Sequence, residues 1–184
     1  MCILFGAGSI SAQVSDRAGE SVWGLQAGLG GLWINNERRL GDVFTIKSEI
    51  NLTGAYSRNS AIYVDPGSHE VSAGNGESYA IVPLIAAAPR WYYNLKRRAA
   101  KGRNTANNAA DYLSIELTVN PGFAIISNNT DVEPAISIIP VWGLRRNLSR
   151  HFNFELSGGI GYHCAKSRGS DLGINLTIRL GYVF

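Results

Sequence analysis

The sequence predicts an all-β protein, an antiparallel up-and-down transmembrane β-barrel of about eight strands, and three observations carry that expectation. Seven segments alternate apolar and polar side chains with a period of two, the mark of a strand with two different faces. The 45% hydrophobic content and 21 glycines fit a packed β domain of 184 residues, and amphipathic helical stretches are nearly absent. No run approaches the roughly 18 consecutive apolar residues of a transmembrane helix, so any membrane contact has to be made by strands.

From the N-terminus, MCILFGAGSISAQ joins an apolar stretch to the small residues Ser9, Ser11 and Ala12. It resembles a secretory signal peptide cut after Ala12, without the positive n-region, so the start is expected to lie inside a longer signal. Residues 1–12 are then a signal remnant and residues 13–184 the barrel domain. With Cys2 removed, Cys164 is the single cysteine, which excludes an intrachain disulfide and a cysteine metal site.

Residues 22 to 34 read as one strand in which Trp23 and Trp33 bracket Leu25, Ala27 and Leu29. Residues 44 to 56 set Phe44, Ile46, Ile50, Leu52 and Tyr56 against Thr45, Lys47, Glu49, Asn51 and Thr53. In residues 79 to 93, Tyr79, Ile81, Ile85 and Trp91 share a face. Residues 113 to 125 place Leu113, Ile115, Leu117, Val119, Phe123 and Ile125 opposite Ser114, Glu116, Thr118 and Asn120. Ile136, Ile138 and Trp142 phase residues 134 to 144, and residues 152 to 164 set Phe152, Phe154, Leu156, Ile160 and Tyr162 against Asn153, Glu155, Ser157 and His163. The last segment, 172 to 184, is apolar at every even position and carries Asn175, Thr177 and Arg179 on the other face.

The apolar face is expected to meet lipid. A ten-residue separation spans roughly 25 Å along a tilted barrel, the height of the lipid-facing band of outer-membrane barrels. Aromatics gather near strand ends on that face, and Trp23, Trp33, Trp91, Trp142, Tyr162, Tyr182 and Phe184 are expected in two interfacial girdles. A soluble barrel with an apolar interior is the alternative, and it does not need aromatics at strand ends.

The opposite face then fills the lumen with Lys47, Glu49, Arg90, Glu116, Glu155 and Arg179, three charges of each sign. Folding hairpins about residues 103 and 167 brings Arg90 across from Glu116 and Glu155 across from Arg179, two opposite-charge pairs. An eight-stranded barrel is just wide enough for side chains to fill, so a plugged, charge-paired lumen without large conductance is expected.

Bacterial single-chain barrels have an even strand number. The eighth strand is sought at Ala61 to Val64 and Glu70 to Ala73, which Pro66 and Gly67 interrupt, or near residues 14 to 21. With Phe184 at the periplasmic side, RRNLSRH and KRRAAKGRNTANNAAD are periplasmic and KSRGSD is extracellular.

The closing stretch LTIRLGYVF resembles the C-terminal β-signal of Gram-negative outer-membrane proteins, an alternating strand ending in Phe. PRWYYNLKRRAAKGRNTANN and IIPVWGLRRNLSRHFNFE are similar to a family of uncharacterised small outer-membrane β-barrel proteins. The resemblance implies the bacterial outer membrane as location, its lipids and the barrel assembly machinery as partners, and no known chemistry. The link KSRGSD is shorter than the family pattern.

Lys96, Arg97, Arg98, Lys101 and Arg103 form the dense basic cluster, a candidate patch for lipid phosphates or an anionic polymer, or a solvated turn with a short helix. The net charge of +3 is otherwise dispersed, which argues against nucleic acid. His151 and His163 lie near opposite ends of one strand, and His69 stands alone in a loop; His163 with Ser167, Ser170 and Asp171 is the acid–base constellation that the sequence offers. No catalytic residue, cofactor or metal is expected. The expected role of this monomer is structural or loop-mediated binding; the alternatives are a lipid-modifying enzyme and a narrow channel.

Overall fold

The computed structural model describes residues 14–58, 77–128, 132–165 and 169–184. Nine strands occur in chain order: β1 (Ser21–Gly28), β2 (Gly31–Arg39), β3 (Phe44–Arg58), β4 (Glu77–Trp91), β5 (Asp111–Asn120), β6 (Ile126–Asn128), β7 (Ala135–Asn147), β8 (Phe152–Ala165) and β9 (Gly169–Val183). A six-residue helix, α1 (Leu95–Ala100), and a 3-10 turn over Ala106–Asn108 lie between β4 and β5. Apart from β6, each strand pairs antiparallel with the next, β5 with β7, and β1 pairs with β9 from Gly24 opposite Val183 to Gly28 opposite Arg179. The result is a closed eight-stranded up-and-down barrel. The ninth strand, β6, takes over from β5 along the far part of β4, after Pro121 interrupts the ladder by lacking an N–H.

The eighth stave lies elsewhere than the periodicity predicts. Residues 22 to 34 are not one strand but the hairpin of β1 and β2, which turns at Leu29 and Gly30. Gly30 has φ 99°, a conformation glycine adopts without a Cβ clash, and Gly28 and Gly31 face each other across the turn. A side chain at Gly28 would run into the carbonyl of Ile178, and one at Gly31 into that of Leu52. The sequence GLGG is therefore the turn itself. Residues 14 to 20 form no strand, which removes one of the two predicted positions for the eighth strand. The other, at Ala61 to Val64 and Glu70 to Ala73, lies outside the described residues, as do His69, Ser167 and the signal-like residues 1–12.

The two-residue turn reverses the phase. Trp23, Leu25 and Ala27 point outward at odd positions of β1, whereas β2 exposes Leu32 and Ile34 and turns Trp33, Asn35 and Glu37 inward. In the other long strands the phase is as the sequence predicts. Outward go Ile50, Ile115, Ile138, Ile160 and Ile174, all more than half exposed; inward go Asn51, Thr53, Thr118, Ser137, Asn175 and Thr177, all buried.

Both chain ends described here, the turns 40–43 and 148–151, and the link from β4 to β5 lie at one end of the barrel. That end is sealed. Leu95 of α1 packs with Tyr92, Ala18, Ala110, Tyr112, Ile139 and Val141 in the largest apolar cluster of the interior. Asn108, at φ 60°, reaches back to accept from the N–H of Gly19 and donate to Glu37.

Candidate functional site

The middle of the barrel holds four cations and four carboxylates, Lys47, Arg90, Arg145 and Arg179 with Glu37, Glu49, Glu116 and Glu155. All but Glu116 are almost fully buried, and Glu116 is half-buried. Glu155 of β8 is the hub. Its Oε1 accepts from Arg90 Nη2 and Tyr112 Oη, both at 2.8 Å, and its Oε2 accepts from Arg145 Nε at 2.8 Å and Gln26 Nε2 at 3.3 Å. Lys47 Nζ stands 3.6 Å away.

Glu37 of β2 forms a second centre nearer the sealed end. It accepts from Tyr92 Oη and Thr45 Oγ1 at 2.7 Å, from Asn108 Nδ2 at 2.8 Å and from Arg145 Nη1 at 2.9 Å. Arg145 thus bridges both carboxylates. A third centre lies further along, where Glu49 meets Lys47 and Arg179, the latter at 2.8 Å. Two guanidinium groups also lie over aromatic faces, Arg90 over Tyr112 at 4.1 Å and Arg179 over Trp33 at 4.3 Å.

Burying seven ionisable groups costs several kcal/mol for each ion unless partners replace the lost water. Here the geometry supplies them, because every carboxylate of the two inner centres accepts from at least four donors. Such an interior is a filled electrostatic core. Chemically it can hold strands in register.

Several predicted neighbours are corrected by the register. Arg90 lies across from Ser114, two residues from Glu116, because α1 and the 3-10 turn make the link asymmetric about residue 103. Arg90 instead reaches Glu155 and Glu37. Glu155 does lie across from Arg179, but the guanidinium bonds to Glu49 on the other side of the lumen. Trp33 is not part of an outer ring: it is 2% exposed and lies inside the barrel. Glu37 and Arg145 were missed because INNERRL and RRNLSRH look like polar turns, whereas β2 and β7 extend through Arg39 and Asn147.

On the outside, exposed aromatics collect at two levels. Trp23, Phe44, Trp91, Tyr93, Trp142, Phe152, Tyr182 and Phe184 surround the sealed end, with Phe44 stacked on Trp91 and Tyr182 against both Phe152 and Phe184. Tyr56 and Tyr79, paired across β3 and β4, and Tyr162 mark the opposite level. The offsets from Phe44 to Tyr56 and from Phe152 to Tyr162 correspond to roughly 25 to 30 Å along the axis at the usual barrel tilt. No known protein family, curated protein or solved structure matches the chain. Function has to be read from these surfaces alone.

The basic cluster divides. Lys96 bonds Asp42 at 3.0 Å and holds that carboxyl below its usual range, tying α1 to the turn between β2 and β3. Arg97, Arg98, Lys101 and Arg103 instead surround a cleft with Arg146, Asn94 and Asp111. Of the acid–base residues, His163 faces inward opposite Asp171 and packs under Gly173, while Ser170 faces outward beside Cys164, so Ser170 and His163 lie on different faces. His151 is at the other end, stacked on Tyr182 at 5.6 Å. Among the described residues no cluster of His, Cys, Asp and Glu could hold a metal ion, and no helix is long and apolar enough to cross a membrane.

Proposed function

We propose that the chain is an outer-membrane β-barrel protein of Gram-negative bacteria, with a structural or loop-mediated binding role rather than a transport role. The observation that carries this reading is the inversion of polarity: isoleucines and leucines cover the outer wall while ion pairs and asparagines fill the inside. In water such a wall would be one continuous apolar surface far larger than the few hundred Å² that soluble monomers expose. In a bilayer the same wall is solvated by acyl chains, the two aromatic levels match the two interfaces, and barrel closure pairs backbone groups that lipid cannot satisfy.

The sealed end supports the non-transport part. Tyr92, Leu95, Asn108 and the Glu37 and Glu155 centres occupy the cross-section that a solute would need. Fractionation followed by a gel with and without boiling tests the membrane assignment. Recovery with the outer-membrane fraction and a heat-dependent mobility shift are expected; recovery in the soluble fraction with no shift overturns it.

A further inference from the structure

We propose that the cleft between α1 and the root of β7 is a binding site for a phosphate group. The cleft has a volume of about 250 Å³ and is lined by Asn94, Arg97, Arg98, Lys101, Arg103, Asp111 and Arg146. Five of these seven carry positive charge, and Asp111 is the one carboxylate. That carboxylate is already engaged, by Arg146 and by Asn94 Nδ2 at 2.6 Å. Arg97, Lys101 and Arg103 have no carboxylate partner among the described residues.

Rigid scaffolding holds the cations together. Arg98 donates from Nε to the carbonyl of Ala109 at 2.9 Å and from Nη2 to that of Asn104 at 3.3 Å, which fixes its guanidinium at the cleft wall. Arg146 is anchored by Asp111 and by the carbonyl of Arg145 at 2.7 Å. Burial, and after it the nearby Arg146 and Arg103, depress the pKa of Arg98 below its ordinary value, as expected where cations crowd without enough counter-charge. A tetrahedral dianion or diester accepts several charge-assisted hydrogen bonds at once and relieves that repulsion, whereas a carboxylate offers only a planar pair of oxygens. The solvated-turn reading explains neither the convergence of five cations nor the separate engagement of Lys96 with Asp42.

The cleft lies just beyond the aromatic level of Trp91, Tyr93 and Trp142, so the same chemistry would take the group from a lipid headgroup or from free phosphate. The lipid source rests on the membrane reading; the phosphate chemistry does not. The test uses the full chain folded in non-ionic detergent without phosphate, titrated with inorganic phosphate by calorimetry, and in a second arm reconstituted in discs of phosphatidylglycerol and analysed for retained lipid by native mass spectrometry. The variant R97Q/K101Q/R103Q spares Arg98 and Arg146, and K96Q is the control outside the cleft; the heat shift on gels verifies that both fold. The expected result is saturable binding weakened at least about tenfold in the triple variant and by less than about twofold in K96Q. Retained phosphatidylglycerol that inorganic phosphate displaces supports a lipid source, and binding in the inorganic arm alone supports free phosphate. Absence of binding in both arms, or binding equal in wild type and triple variant, overturns the proposal. Failure of fractionation leaves the inorganic arm intact.

Discussion

Three buried cations, Arg90, Arg145 and Lys47, converge on Glu155 together with Tyr112 and Gln26. Replacing it with Gln keeps the volume and removes the charge, leaving buried cations with fewer counter-ions. Glu155→Gln is expected to cost about 3–5 kcal/mol, read as a lowered urea midpoint of the folded barrel. A glycine tests the same site from its other side. A Cβ at Gly143 would collide with the hydroxyl end of Tyr112, which hydrogen-bonds Glu155, whereas one at Gly54 meets nothing within 4 Å. Gly143→Ala is expected to lose about 1–3 kcal/mol by overpacking, and Gly54→Ala to be near neutral in the same assay. Equal effects of the two would sink this account of Tyr112. Most of this network was legible beforehand: Lys47, Glu49, Arg90, Glu116, Glu155 and Arg179 stand on the polar face of alternating segments. Glu37 and Arg145 were not, because a charge beside other charges at a strand end looks like solvent-facing turn until the pairing partner is known.

At the level of elements, long strands with a strict two-residue period declared themselves, and β3, β8 and β9 run within a few residues of where the periodicity puts them. The hairpin of β1 and β2 did not, for a physical reason. A two-residue turn swaps the outward parity, and the tryptophans at 23 and 33 happen to keep the parity of one uninterrupted strand, so aromatic spacing outweighed the glycines between them. For the link from β4 to β5 the sequence offers an anionic-partner patch or a solvated turn with a short helix, and the helix is there; its burial is not legible, since Leu95 and Ala99 are too few to print an amphipathic pattern. Leu95 is fully buried in the cluster that closes the barrel end. Leu95→Ala is expected to cost about 2–5 kcal/mol through the cavity it leaves, measured as a lower unfolding midpoint, while the strands retain their circular dichroism. A negligible change would mean that the link does not seal the end.

For the whole molecule, closure and filling set the functional range. With side chains and ion pairs across the lumen, planar-bilayer recordings of the folded protein are expected to show no conductance steps of porin size. Large, voltage-independent steps would require the plug of residues 92–110 to leave, and would refute the filled interior as the working state.

The wall is also of unequal height. The β1 and β2 hairpin turns at the level of Arg179 and Thr53, while β9 continues to Gly169 and β3 to Arg58. Beyond the turn, one flank of each of these two strands has no ladder partner among the described residues. Phe184 N donates to Trp23 while Val183 N donates to His151, so along β9 the even-numbered amides aim at β1 and the odd-numbered ones at β8. Deuterium uptake in detergent should therefore alternate: the amides of Ile174 and Leu176 exchange ahead of those of Gly173, Asn175 and Thr177, while the amide of Leu172 is held by the Asp171 carboxylate at 2.7 Å. Uniform protection would mean that another segment completes the window. Among the described residues the barrel is thus a full ring at its sealed end, while at the other end one flank of β9 and one of β3 stand unpaired, the kind of margin to which a strand adds through main-chain hydrogen bonds.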